Sequence, residues 1–150
     1  MLGYKNILCA MDFDEHQGAV LGIAAALARE SDATLRVLHI ARIPFADMDV
    51  PLPIEKNPRW EQNARARIEQ LIKQTPSSAL KYEIVIKSGL PDNDIVREAT
   101  RLGVDLIVIA THGHGGLRHL ALGSIAEQVI RGAECPVLVI RPHPPTPTIP

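Results

Sequence analysis

Aromatic side chains are scarce in this chain: one Trp, two Tyr and two Phe among 150 residues, or 3%. Single-stranded nucleic acid is bound largely by stacking bases on such rings, and these are too few to build a platform. Neither sign of charge is in excess. Lys and Arg number 16 against 17 Asp and Glu, for a formal net charge of -1. No field of one sign therefore gathers a phosphate backbone or an anionic membrane surface. Cysteine is nearly absent. Cys9 and Cys135 lie far apart with no CxxC pair, which argues against a disulfide framework and for a reducing compartment, the cytoplasm. Cys9 falls in an apolar run and is expected to be a small buried hydrophobe. The opening MLGYKNILCAMD lacks the apolar core of a signal peptide. No apolar run approaches the roughly 20 residues of a membrane span.

What is present is a chain 46% hydrophobic and 22% charged, long enough for one domain with a real core. NILCAM (6–11) reads as a strand buried on both faces. HQGAVLGIAAALARE (16–30) has apolar pairs at 19/20, 23/24 and 27/28, the spacing of a helix with one apolar stripe. ATLRVLHI (33–40) is strand-like. ARIPFADMDVPLPIEKNP (41–58) holds four prolines without periodicity and reads as a long surface loop or flap. Apolar residues at 60, 64, 68, 71 and 72 predict a second amphipathic helix, with Trp60 packing in its stripe. The charged run around it is the solvated face. KYEIVIK (81–87) alternates as a strand does. Pro91, Asp92 and Asp94 suit the first turn of a third helix, and Gly103 its end. DLIVIA (105–110) is a buried strand, 124–131 a helix and PVLVI (136–140) a last strand. Residues 1–142 form the expected domain, and 143–150 a proline-rich tail with no core to join.

Such alternation of near-continuous apolar strands with helices predicts an α/β fold: one parallel sheet with helices on both faces. Ligands of open α/β sheets sit beyond the carboxyl ends of the strands, near a switch in strand order. Asp12, Ile40 with Ala41, and Ala110 to Gly113 follow three of the strands and are expected to meet there.

ATHGHGGLRHLALGSIAEQVI (110–130) is the distinctive stretch. Gly113, Gly115 and Gly116 can take positive φ and turn successive N–H groups toward one point, a cradle for phosphate oxygens. Gly123 permits close approach of a ligand to the backbone, and a helix opening near Ser124 adds free N–H groups and a positive dipole end. Arg118 or a protonated histidine such as His112 would add charge. Neither GxxxxGK[ST] nor GxGxxG is present.

The stretch resembles the nucleotide-binding signature of the universal stress protein family, G-x2-G-x9-G-[ST]. Gly113, Gly123 and Ser124 match, and Ala110 stands where the first glycine is usual. NILCAMDFDEHQGAVLGIAAALA, ATLRVLHI, GLPDNDIVREA, DLIVIATHG and CPVLVIRP are similar to the family's corresponding segments, over most of residues 5–142. The resemblance implies a Rossmann-like sandwich with a five-stranded parallel sheet. It places Asp12 and Ile40 at the adenosine part of an ATP site. Ala110, Gly113, Gly123 and Ser124 fall at the ribose- and phosphate-binding loop, followed by Ile125. It also implies a cytoplasmic homodimer pairing through the last strand, Val137, Leu138, Val139 and Ile140, with magnesium accompanying the triphosphate.

Plainer roles stand beside these. Ser124-x-x-Glu127 is also a capping box, in which Ser124 bonds the amide of Glu127. Asp12 is also a turn-capping acid. His112, His114 and His119 invite a metal, but no cysteine or carboxylate nearby completes a tetrahedral set, and solvated or phosphate-contacting loop histidines are the expectation. His39 reads as a satisfied core residue. No committed base adjoins the glycine loop, so the expected activity is nucleotide-dependent regulation rather than fast catalysis; slow ATP hydrolysis and a nucleotide-free dimeric interaction protein are the alternatives. Nucleic acid and membrane are not expected partners.

Overall fold

The apolar runs 6–11 and 106–110 form central strands, buried on both faces, and the striped segments form helices because only one face of each meets the sheet. In a computed structural model the described residues are 3–12, 17–42, 58–76, 78–111 and 122–141. The elements are β1 (Asn6–Met11), α1 (Gln17–Ser31), β2 (Thr34–Arg42), α2 (Pro58–Gln74), β3 (Lys81–Gly89), α3 (Pro91–Arg101), β4 (Leu106–Ala110), α4 (Ser124–Gly132) and β5 (Val137–Ile140). The proline-rich tail and most of the predicted flap lie outside the described residues.

The five strands are ordered β3-β2-β1-β4-β5, and every pairing is parallel. The chain winds outward from β1 to one side, then crosses back to β4 and winds outward to the other. Two apolar clusters sandwich the sheet. Ile7, Cys9, Met11, Leu35, Val37 and Val108 pack under α1 and α2 with Val20, Leu21, Ala24 and Ile68. Leu8, Ala10, Leu38, Ile40, Ile107 and Ile109 pack under α3 and α4 with Ile95, Ala99, Ala126 and Val129. Alternate residues of each strand thus serve opposite faces.

Two boundaries differ from the sequence expectation. β2 runs on through Ala41 and Arg42, which pair with Ser88 and Gly89 of a longer β3. That pairing holds residues whose own apolar pattern is spent. α2 starts at Pro58, ahead of its first apolar position, since proline needs no amide partner in a first turn. α3 ends on Gly103 at φ 64°, with the Val104 amide donating 3.0 Å back to Ala99, a left-handed cap that glycine accepts without cost. Its middle is tied to β3 by buried Glu98, whose carboxylate takes Arg101 at 2.7 Å and Lys87 at 2.5 Å. Arg101 first, against the opposing effect of burial, and then Lys87 hold the Glu98 carboxyl below its usual range.

Ala79, in the turn before β3, adopts φ 64°. A Cβ is disfavoured there, so Ala79→Gly should stabilise the chain by about 0.5–1 kcal/mol in urea denaturation.

Candidate functional site

All five carboxyl ends emerge on one edge of a parallel sheet, and the helices that follow begin there. Strand order makes one place on that edge special. From β1 the chain turns through α1 toward β2, whereas from β4 it turns through α4 toward β5 on the opposite side. The connections diverge and leave a crevice between them. Ile7 is level with Leu106 and Cys9 with Val108. Asp12 follows the end of β1 and Thr111 the end of β4, so the two flank the crevice.

The α4 side is tightly anchored. The Thr111 amide donates 2.9 Å to the Ile140 carbonyl, and the Gly123 amide donates 2.6 Å to the Thr111 carbonyl. Whatever the intervening segment does, its two ends are clamped together. His112, Gly113, Gly115, Gly116 and Arg118, with His114 and His119, lie in that segment and outside the described residues. The N-cap of α4 is Gly123, extended at φ -59° and ψ 151°, and no side chain caps it. The capping box that stood as the alternative role of Ser124 is therefore not formed. Ser124 is the first helical residue, the Glu127 amide donates 2.9 Å to the Gly123 carbonyl, and the Glu127 carboxylate pairs instead with Arg131 at 2.7 Å. The exposed Ser124 hydroxyl stands at the mouth of a helix whose first amides have no carbonyl to meet. Ile125 behind it packs into the α3–α4 core. Thr111 Oγ1 is buried and has no hydrogen-bond partner among the described residues.

Ala110, at the usual glycine position of the signature, is buried in the cluster under α1 and α2. Its methyl thus belongs to the core on the far side of the sheet from α4. Ile40 lies on the α4 side, in the cluster with Ala10 and Ile109. Beside it β3 ends at Gly89, and a Cβ there would run into the Asp94 carboxylate, which accepts the Leu90 amide at 2.8 Å. Asp92 and Asp94 were legible as first-turn acids; the close approach that needs glycine at 89 was not.

The half-buried Asp12 follows β1 directly, one residue beyond the Met11–His39 pair that ends the β1–β2 ladder. One step back, the buried His39 ring places Nδ1 3.0 Å from the Met11 carbonyl oxygen. The carbonyl only accepts, so Nδ1 donates. Trp60 of α2 covers the ring at a centroid distance of 6.4 Å and 41°. His39 is thus the satisfied core residue the sequence suggested. Desolvation lowers its pKa below the ordinary histidine value, with Arg67 acting the same way, while the Met11 carbonyl and the Asp12 charge act against the shift. The pairing of His39 with Trp60 was not legible, because 21 positions and an irregular segment separate them in the sequence. Burial pushes the Cys9 thiol up to about 12, which leaves it inert, as a small hydrophobe should be. Among the described residues no three His, Cys, Asp or Glu side chains gather to hold a metal ion. No helix among them is long and apolar enough to cross a membrane.

Comparison with known proteins agrees with this architecture. Residues 3–141 match the model of the universal stress protein family. The chain is 33% identical over 141 residues to universal stress protein A homolog 1 of Coxiella burnetii, spanning 91% of this chain and 96% of that one. The solved structure of universal stress protein UspA from Lactobacillus plantarum superposes with a TM-score of 0.78 at 25% identity, covering 94% of this chain and 100% of that one. A universal stress protein from Archaeoglobus fulgidus, solved in complex with dAMP, has a TM-score of 0.66 at 23% identity over 93% of this chain and 100% of that one.

A histidine held neutral in the fold binds fewer protons than in the unfolded chain. Its contribution is present above the ordinary value of ~6.5 and is lost as the pH falls through the lower folded value. Urea denaturation at about pH 5 and about pH 7.5 should therefore show a loss of stability on acidification that His39→Asn reduces.

Proposed function

Since the chain belongs to the universal stress protein family, we propose that it is an ATP- or adenine-nucleotide-binding regulatory protein of the stress response, acting in the cytoplasm as a homodimer. The observation that carries this is the start of α4. Its first amides, which meet no carbonyl within the helix, and the exposed Ser124 hydroxyl lie at the switch point of the sheet, where an anionic group is stabilised by the helix end. The buried Thr111 hydroxyl, without a partner among the described residues, adds polar capacity at the same place. The dAMP bound by the Archaeoglobus relative supports an adenine nucleotide as the occupant.

In this reading the nucleoside lies over Asp12 and Ile40. The sugar and phosphates meet Ala110, His112, Gly113, Gly115, Gly116, Arg118, Gly123, Ser124 and Ile125. The packing of the Ala110 methyl in the opposite core supports a site that takes alanine at the position of the signature's glycine. Magnesium would be held mainly by the phosphate oxygens. In this reading the activity is nucleotide binding with at most slow hydrolysis, and bound nucleotide acts by favouring one surface of the domain over another.

The dimer is proposed on β5. This strand pairs only with β4 among the described strands, and Leu138 on it and Ile130 on α4 are exposed apolar residues. An open apolar edge is closed by a second copy across a two-fold axis.

Calorimetry with ATP, ADP and AMP in the presence of magnesium tests the site. Ser124→Ala should weaken ATP binding about tenfold while changing stability little, because the cap bond it would remove is not made. Asp12→Ala should weaken binding comparably. Absence of binding by the unaltered chain would leave a nucleotide-free interaction protein of the same fold. Sedimentation should give twice the 16.4 kDa chain mass, and Leu138→Lys should shift it toward the monomer by placing charge on the edge.

A further inference from the structure

Two strand ends carry the nucleoside side of the proposed site: Met11 of β1 with Asp12 just after it, and His39 with Ile40 on β2. The ladder pairs Met11 with His39. A side chain joins the same two residues a second time, with His39 Nδ1 donating across 3.0 Å to the Met11 carbonyl. The bond therefore sits one residue behind both Asp12 and Ile40. Its ring lies on the α1–α2 side: Val37, two residues earlier on β2, packs in that cluster, and Trp60 of α2 covers the imidazole. Ile40 lies on the other side, with α3 and α4. The imidazole is thus placed to act on the site through the backbone rather than by touching what binds there.

We propose that His39 is a positioning residue for nucleoside binding, holding the ends of β1 and β2 at the separation that Asp12 and Ile40 require. The inference rests on the adenine-nucleotide reading above. Carboxyl ends of strands lose their ladder partners where the chain turns away, and a buried side-chain bond extends the cross-link to the last paired residues. A site whose walls are already set loses less conformational freedom on binding.

The test uses two neutral replacements in the full chain. His39→Asn places an amide N–H near the position of Nδ1, whereas His39→Gln carries its amide one carbon further out. Calorimetry with ATP and magnesium should show an affinity within about threefold of the unaltered chain for H39N and about tenfold weaker for H39Q, with circular dichroism confirming that both fold. Equal affinity in H39Q and the unaltered chain overturns the positioning role, as does an equal loss in both variants. Should H39Q not fold, H39N still decides, because a folded H39N that has lost ATP affinity contradicts the proposal. An unaltered chain that binds no adenine nucleotide overturns the reading of the site and this role with it. Binding that is indifferent to both substitutions removes only the role of His39.

Discussion

The parallel pairing of β1 with β4 governs the rest of the molecule. Leu8 and Cys9 of β1 and Ile107 and Val108 of β4 are all 0% exposed and lie at the centre of the sheet, so both faces of both strands must be covered. That requirement sends α1 and α2 to one face and α3 and α4 to the other. It also forces the chain to leave β1 and β4 in opposite directions, and the crevice follows from that divergence. Moving either strand to an edge would expose one side of an apolar run and remove the switch point together.

The crevice has two unlike walls. On the β4–α4 side the backbone supplies donors: Gly123 is spent on Thr111, but the following helix presents its first amides and a positive end. On the β1–β2 side stand a half-buried carboxylate at Asp12 and an apolar Ile40, set on strand ends that His39 cross-links. In the proposed reading, anionic oxygens go to the first wall, away from the Asp12 carboxylate, and the nucleoside to the second.

Most of the fold was legible because its signals are local. Val, Ile and Leu runs bounded by Gly, Asp and Pro mark strands, and apolar pairs three and four apart mark helices, whatever lies elsewhere in the chain. The extension of β2 through Arg42 was not legible, since Ala41 and Arg42 are strand residues only by virtue of Ser88 and Gly89 beside them. The helix start at Ser124 was legible, but its chemistry was not. The pattern S-x-x-E fits a capping box, and only the backbone conformation at Gly123 shows that the cap lies one residue earlier. Likewise the sequence shows only that Ala110 stands where the family signature has glycine; that its side chain joins the α1–α2 core was decided by the fold.

By itself the order of residues determined the succession of strands and helices and the family whose pattern they carry. Burial periodicity and turn chemistry act over a few residues, and a linear string records them fully. Which strand neighbours which, which face each side chain serves, and that His39 meets both Met11 and Trp60 were decided only in three dimensions. Those facts depend on contacts between residues tens of positions apart. Their energies come from excluding water between surfaces that no local pattern brings together.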